Sequence, residues 1–210
     1  SCFASSLRCF AVAREHQGEG LLNTVVSHLI SVQAARGNFH LFLYTKPASA
    51  RFFADLGFYE IARLEGTLVF MENRRRGFAD FCGRLAGTRR PGSAAAIVMN
   101  ANPFTLGHRY LVERAAGEYD TVHLFVLSED ASLFPANVRY RLVREGVKDL
   151  PNVVLHPTED YLISAATFPC YFLRGGDAAI RANARLDLAL FTQIAAALGV
   201  TARYVGDEPT

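Results

Sequence analysis

The sequence predicts an α/β protein in two parts, the second built on a parallel sheet. Short apolar runs rich in β-branched and aromatic residues alternate with stretches whose apolar residues recur at helical spacing. The runs of the second half, such as Ala94 to Met99 and Val122 to Leu127, are continuously apolar, as in strands covered on both faces. Gly and Pro mark most junctions between the two kinds of segment. With 210 residues, half of them hydrophobic and a fifth charged, the chain is long enough for one large or two compact domains and too apolar to be disordered.

Residues 1–73 read as strand, helix, strand, helix, strand. Leu7 to Ala13 is an apolar run, and Gly18-Glu19-Gly20 interrupts it. Leu21, Leu22, Val25, Val26, Leu29 and Ile30 then fall at helical spacing. Gly37-Asn38 suits a left-handed helix end, and Phe39 to Thr45 reads as a strand. Pro47 opens a second helix, Ala48 to Leu56, which Gly57 stops. Phe58 to Met71 supplies two more short strands about a Glu65-Gly66 turn.

Residues 74–93 change in composition and read as a connecting helix and linker. Phe78, Phe81 and Leu85 share a helical face, between Arg74-Arg75-Arg76 and Arg89-Arg90-Pro91-Gly92. The arginine run fits a solvated helix face better than an anion site.

From residue 94 the alternation resumes. Ala94 to Met99 is a buried strand, Asn100 to Gly107 a loop and His108 to Ala116 a helix; Val122 to Leu127 is a strand and Arg139 to Gly146 a helix. Val153 to His156, the helix Leu186 to Leu198 and the strand Ala202 to Val205 complete the series. Strands separated by helices imply βαβ units, whose ligands bind at the carboxyl ends of the strands. The loops after Met99, Leu127, His156 and Val205 are therefore the expected site.

Composition excludes several classes. A formal charge of +2 is too near neutral for a general polyanion binder, so no nucleic-acid partner is expected. No apolar run reaches the roughly 18 residues of a membrane helix, and the first residues lack the pattern of a secretory signal, so a soluble, cytoplasmic protein with no membrane partner is expected. Cys2, Cys9, Cys82 and Cys170 form no C-x-x-C pair and no finger spacing, so no protein-held metal site is expected.

The chemistry concentrates in Asn100-Ala101-Asn102-Pro103-Phe104-Thr105-Leu106-Gly107-His108, between a buried strand and a helix. A helix N-terminus offers unpaired N–H donors and the positive end of a dipole. Gly107 lets an anion approach the backbone without a Cβ in the way, Pro103 fixes the loop's entry, and Thr105 and His108 add polar groups. Capping of the helix by Thr105 and His108 is the purely structural alternative.

Thr105-Leu106-Gly107-His108 resembles the T/H-x-G-H signature of the nucleotidyltransferase superfamily, to which the class I aminoacyl-tRNA synthetases and phosphopantetheine adenylyltransferase belong. The wider stretch from Ile97 to Val112, His123 to Val126 with Glu129-Asp130 and Phe134-Pro135, and Ile163 to Phe172 resembles the [citrate (pro-3S)-lyase] ligase family more closely. The likeness runs on through Val205-Gly206-Asp207-Glu208-Pro209. Glu15-His16-Gln17-Gly18-Glu19-Gly20 resembles the acyl-CoA pyrophosphate loop of GNAT acetyltransferases, and Tyr44 with Ala50 to Phe58 resembles that fold's later elements.

The resemblance implies a partial GNAT-like domain over 1–73 and, after the 74–93 connector, a Rossmann-like nucleotidyltransferase domain over 94–210. It implies an ATP-dependent ligase, activating citrate lyase: acetate and ATP give acetyl-AMP and pyrophosphate, and the acetyl group passes to the prosthetic-group thiol of the citrate lyase acyl carrier protein. Thr105 and His108 would be the catalytic pair. Asn100, Asn102, Pro103, Phe104, Gly107, Arg139 and Gly206 would join them in binding ATP, with Mg2+ carried on the phosphates. Gln17, Gly18 and Gly20 would form a loop for a CoA-like group.

Some positions depart from, or leave open, the family pattern. Ser128 stands where Lys often precedes the Glu-Asp pair, and Glu15 stands where the GNAT loop usually begins with Gln or Arg. Arg139 could equally be a helix-surface residue, and Glu129-Asp130 a structural turn. Cys170 in its apolar stretch reads as a buried thiol, the acceptor thiol lying on the partner. Ile163-Ser164 lies too early to be the superfamily's second phosphate motif, which is expected beyond Thr210, and both ends of the chain are expected to be incomplete. Two alternatives stand beside the ligase: a nucleotidyltransferase that adenylates a phosphorylated metabolite, and an inactive docking module for acyl-CoA or a carrier protein.

Overall fold

A computed structural model describes residues 2–3, 5–129, 132–162, 168 and 176–206. The chain divides into two compact units, one of residues 1–77 and 169–186, the other of 78–168 and 187–210.

The first unit is a five-stranded mixed sheet in the order β1-β2-β3-β5-β4, formed by β1 (Cys2–Phe3), β2 (Ser6–Leu7), β3 (Phe42–Thr45), β4 (Tyr59–Leu64) and β5 (Leu68–Glu72). β2 and β3 run parallel, joined by α1 (Leu21–Ala35), and β5 lies antiparallel between β3 and β4. Val26 of α1, with Ala50 and Phe53 of α2 (Ala50–Asp55), packs on Leu7, Leu43, Val69 and Met71 to form one core. The strand expected over Leu7 to Ala13 is much shorter. Only Ser6 and Leu7 find ladder partners, Phe42 and Leu43, and without a partner edge an apolar run stays irregular. The second helix also starts later, because Pro47 opens a 3-10 turn over Pro47–Ser49 before α2 begins.

The second unit follows the alternation expected for it. β6 (Ala94–Met99), β7 (Thr121–Val126), β8 (Val153–Pro157) and β9 (Ala202–Tyr204) form a fully parallel sheet in the order β8-β7-β6-β9. Its helices are α3 (Gly77–Ala86), α4 (Leu106–Glu118), α5 (Ala136–Gly146) and the second part of α6 (Gly176–Leu198). Val112 and Ala115 of α4 and Val143 of α5 pack with Ile97, Val122, Leu124 and Val126 in one core. On the opposite face Phe191 of α6 meets Phe125 edge-on. Among the described residues no helix is long and apolar enough to cross a membrane.

The strand order fixes the ligand side. From β6 the chain moves to β7 and β8 on one side and returns to β9 on the other. The order thus reverses between β6 and β9, and the crevice of such a sheet opens at the carboxyl ends of those two strands. The loops beginning at Asn100 and Val205 lie there.

Candidate functional site at the head of α4

The loop after β6 bends sharply before α4 begins. Ala101 is buried in the left-handed region at φ 49°, which a side chain with a Cβ adopts only under strain, and Asn102-Pro103 is cis. Two neighbours brace the loop. Asn102 Oδ1 accepts from the Phe134 N–H at 3.1 Å, and Asn100 exchanges hydrogen bonds with the Ser132 hydroxyl at 3.0 and 3.2 Å.

Thr105 is the N-cap of α4, with extended backbone, and forms a capping box with His108 at the third helical position. The Thr105 hydroxyl accepts from the His108 N–H, while His108 Nδ1 accepts from the Thr105 N–H at 3.1 Å and lies 2.8 Å from Thr105 Oγ1. A ring nitrogen that accepts a backbone N–H carries no proton. With Nδ1 accepting, the ring hydrogen sits on Nε2, which is left as a donor. The cap satisfies the N–H groups of Thr105 and His108 and leaves those of Leu106 and Gly107, which have no intrahelical carbonyl to reach. Capping thus occupies two N–H groups of these four residues and leaves the other two outside the cap.

Gly107 needs no glycine for internal reasons. Its φ is not positive, and a Cβ there would meet only Thr105 Oγ1, at 3.8 Å.

Two arginines beside the loop, Arg109 and Arg139, are committed to the protein. Arg109 donates to Glu113 at 2.7 Å, to both Asp149 oxygens at 2.7 Å and to the Gly146 carbonyl. Hydrogen bonds from this guanidinium hold the Asp149 carboxyl down to about 2. Arg139 is neither a surface residue nor exposed to a ligand: it is completely buried. Its Nε donates to the Phe134 carbonyl at 3.0 Å. Its Nη1 donates to the carbonyls of Asn100 at 2.7 Å and Leu127 at 2.9 Å and to Asn100 Oδ1 at 2.9 Å, and its Nη2 to the Glu129 carbonyl. This side chain therefore ties the loops after β6 and β7 together, a structural role.

The structure brings Asn100, Asn102, Pro103, Phe104, Thr105, Gly107 and His108 into one loop and helix start, with Arg139 beneath. Gly206, exposed, follows β9, whose Tyr204 pairs with Ile97 of β6, so the two strand ends lie side by side. Ser128 donates its N–H to Thr158 Oγ1 at 3.0 Å. Gln17, Gly18 and Gly20 belong to the other unit, in an exposed turn where Gly18 (φ 92°) and Gly20 (φ 74°) are left-handed and Gly20 caps α1 without a side-chain bond. Asp130, Ile163 to Thr167, Cys170 and Asp207 to Pro209 lie outside the described residues.

Three features escaped the sequence reading: the Arg109–Asp149 pair, the contact of Phe104 with Gly146, and a buried pair of imidazoles, His123 and His156. Arg139 had a visible signal. It lies four and eight residues before Val143 and Val147, on the buried stripe of its helix.

The family model described as "Citrate lyase ligase C-terminal domain" matches residues 94–210. The chain is 45% identical to a [citrate [pro-3S]-lyase] ligase of Klebsiella pneumoniae over 97% of its own length and 60% of that protein's. It is 42% identical to the enzyme of the same name from Escherichia coli K12, over 97% of the chain and 58% of that protein. It is also 34% identical to a phosphopantetheine adenylyltransferase of Staphylococcus carnosus, over 34% of the chain and 45% of that protein. The chain spans about three-fifths of the length of the ligases it matches.

Proposed function

Because the chain belongs to the citrate lyase ligase family, we propose that it takes part in ATP-dependent activation of acetate for citrate lyase. An acetate oxygen attacks the α-phosphorus of ATP, the bond to pyrophosphate breaks, and acetyl-AMP forms. The acetyl group then passes to the prosthetic-group thiol of the citrate lyase acyl carrier protein, releasing AMP, with the thiol proton going to solvent. The observation that carries this reading is the Thr105–His108 capping box at the reversal point of the parallel sheet, with its fixed donor at His108 Nε2.

The first step joins two anions, so it needs donors placed where charge builds on the phosphates. In this reading the N–H groups of Leu106 and Gly107 and the His108 Nε2–H supply them, Thr105 holds the ring tautomer, and Arg139 fixes the loop from behind. Mg2+ would enter with the nucleotide and supply positive charge to its phosphates. Residues 1–73 enter the proposal as a GNAT-like domain and 74–93 as its connector, with the Gln17 to Gly20 turn as the place for a CoA-like group.

Acetate-dependent release of pyrophosphate from ATP tests the reading. Replacement of His108 by Ala is expected to slow it about 10²–10³-fold, the usual loss for one transition-state donor. An unchanged rate would remove His108 from the chemistry. The adenylyltransferase match favours a second reading, transfer of AMP to a phosphorylated acceptor. Pyrophosphate release that ignores acetate and responds to such an acceptor would select it.

A further inference from the structure

Gly146 is the last residue of α5 and has no need of glycine's freedom, since its φ is not positive. The reason for glycine there is contact. A Cβ at 146 would stand 2.4 Å from Cε1 and 2.7 Å from Cδ1 of Phe104, inside any real carbon–carbon contact. The Phe104 ring in turn stacks on the His108 imidazole, with centroids 5.8 Å apart and planes 24° from parallel. The Gly146 carbonyl also accepts from Arg109, the residue after His108, whose guanidinium is held by two 2.7 Å bonds to Asp149.

The end of α5 thus grips the chain on both sides of His108. Thr105 fixes which nitrogen of the imidazole accepts, and the Phe104 ring limits how the imidazole plane can turn. We propose that Gly146 is a positioning residue for His108, acting through Phe104: the missing Cβ makes the slot that seats the aromatic ring against the imidazole. A methyl group there forces the Phe104 ring to shift, and with it the ring's placement against the His108 imidazole.

The consequence for rate rests on the proposed adenylation, whereas the consequence for the His108 ring does not. In Gly146→Ala the His108 Hε1 resonance, identified as the one absent from His108→Ala, is expected to move as the Phe104 ring current shifts. The kcat for acetate-dependent pyrophosphate release is expected to fall about tenfold, with the KM for ATP little changed, since small misplacements of a reacting group act on rate. In a Phe104→Leu background the same glycine replacement is expected to have no further effect on either readout, because the wedge is gone. A role confined to general helix stability would give equal losses in both backgrounds and would overturn the proposal. So would a His108 resonance that stays put in both Gly146→Ala and Phe104→Leu. Should Gly146→Ala fail to fold, Phe104→Leu against the double variant carries the same comparison. A resonance that moves in a protein with no acetate-dependent activity would uphold the positioning and reject the proposed function.

Discussion

The buried imidazole pair makes the second unit sensitive to mild acid. His123 on β7 is wholly buried and His156 on β8 nearly so, with His123 Nδ1 and His156 Nε2 3.0 Å apart and the rings stacked. One proton shared between the two nitrogens satisfies the contact, and His123 Nε2 is buried with no hydrogen-bond partner among the described residues, so a further proton there has nothing to donate to. Burial pushes both groups down to about 4, helped by the Arg90 charge at His123 and by His123 itself at His156. In the unfolded chain each titrates near 6.5. Between those values the unfolded state binds protons that the folded state refuses, so stability is complete above about pH 6.5 and is lost as pH falls toward 4.

At about 1.4 kcal/mol per pH unit below 6.5, one such ring costs about 2 kcal/mol at pH 5. At that pH the unfolded chain protonates both rings and the folded pair neither, so the pair costs about 4 kcal/mol. Against a total stability of about 5–15 kcal/mol this is a large fraction. The carboxyls held low by hydrogen bonds, Asp149, Glu118 and Asp120, enter only at lower pH and leave the window clear. The informative perturbation is the double replacement His123→Leu with His156→Leu. Either single change would strand the partner's polar nitrogen in the core. In urea unfolding followed by circular dichroism, with m about 2 kcal/mol/M, the parent protein should lose about 2 M in midpoint between about pH 7 and pH 5. The double variant should lose less than about a quarter of that. Parallel losses in the two proteins would refute the reasoning.

Two further outcomes separate internal from external roles. Gly107→Ala meets only Thr105 Oγ1, at an ordinary contact distance of 3.8 Å, so it should raise stability by about 0.5–1 kcal/mol, as Gly117→Ala at the far end of the same helix should, yet only Gly107→Ala should weaken ATP binding in calorimetry. Equal binding by the two variants would mean that no ligand approaches Gly107. Arg139→Lys keeps the charge but cannot reach the carbonyls of Asn100, Leu127, Glu129 and Phe134 together, so it should lower stability by about 3 kcal/mol in urea unfolding. A loss below about 1 kcal/mol would show that the bracket contributes little.

Where local sequence and tertiary demand agreed, the fold was legible. Ala94 to Met99 forms a strand over those same residues because the run is apolar throughout and is bounded by Pro91-Gly92-Ser93 before and Asn100 after. Leu7 to Ala13 looked similar, but a strand also requires an edge to pair with, and sequence does not show where that edge ends. Thr105 and His108 were legible because an N-cap and an anion site call for the same residue types at the same spacing. Gly146, Asp149 and His156 were not, since each takes its meaning from a residue at least 33 positions away. Arg139 falls between these cases: its stripe was visible, but an arginine on an apolar stripe reads as a surface residue until the carbonyls it serves are known.

The treatment of charge ties these observations to the proposed chemistry. Two arginines beside the loop are consumed internally, Arg109 by Glu113 and Asp149 and Arg139 by carbonyl oxygens. Among the described residues, the head of α4 itself contributes neutral donors: two first-turn N–H groups outside the cap and one imidazole N–H whose tautomer a backbone bond holds. A mobile cation would bind ATP strongly before reaction as well as during it, and attraction felt equally in both states does not speed the step. Fixed dipoles gain most where charge grows, and they need no reorganisation when it does. Arginines spent on rigidity, with neutral donors left at the helix end, therefore suit a site meant to favour the departing pyrophosphate over the bound nucleotide.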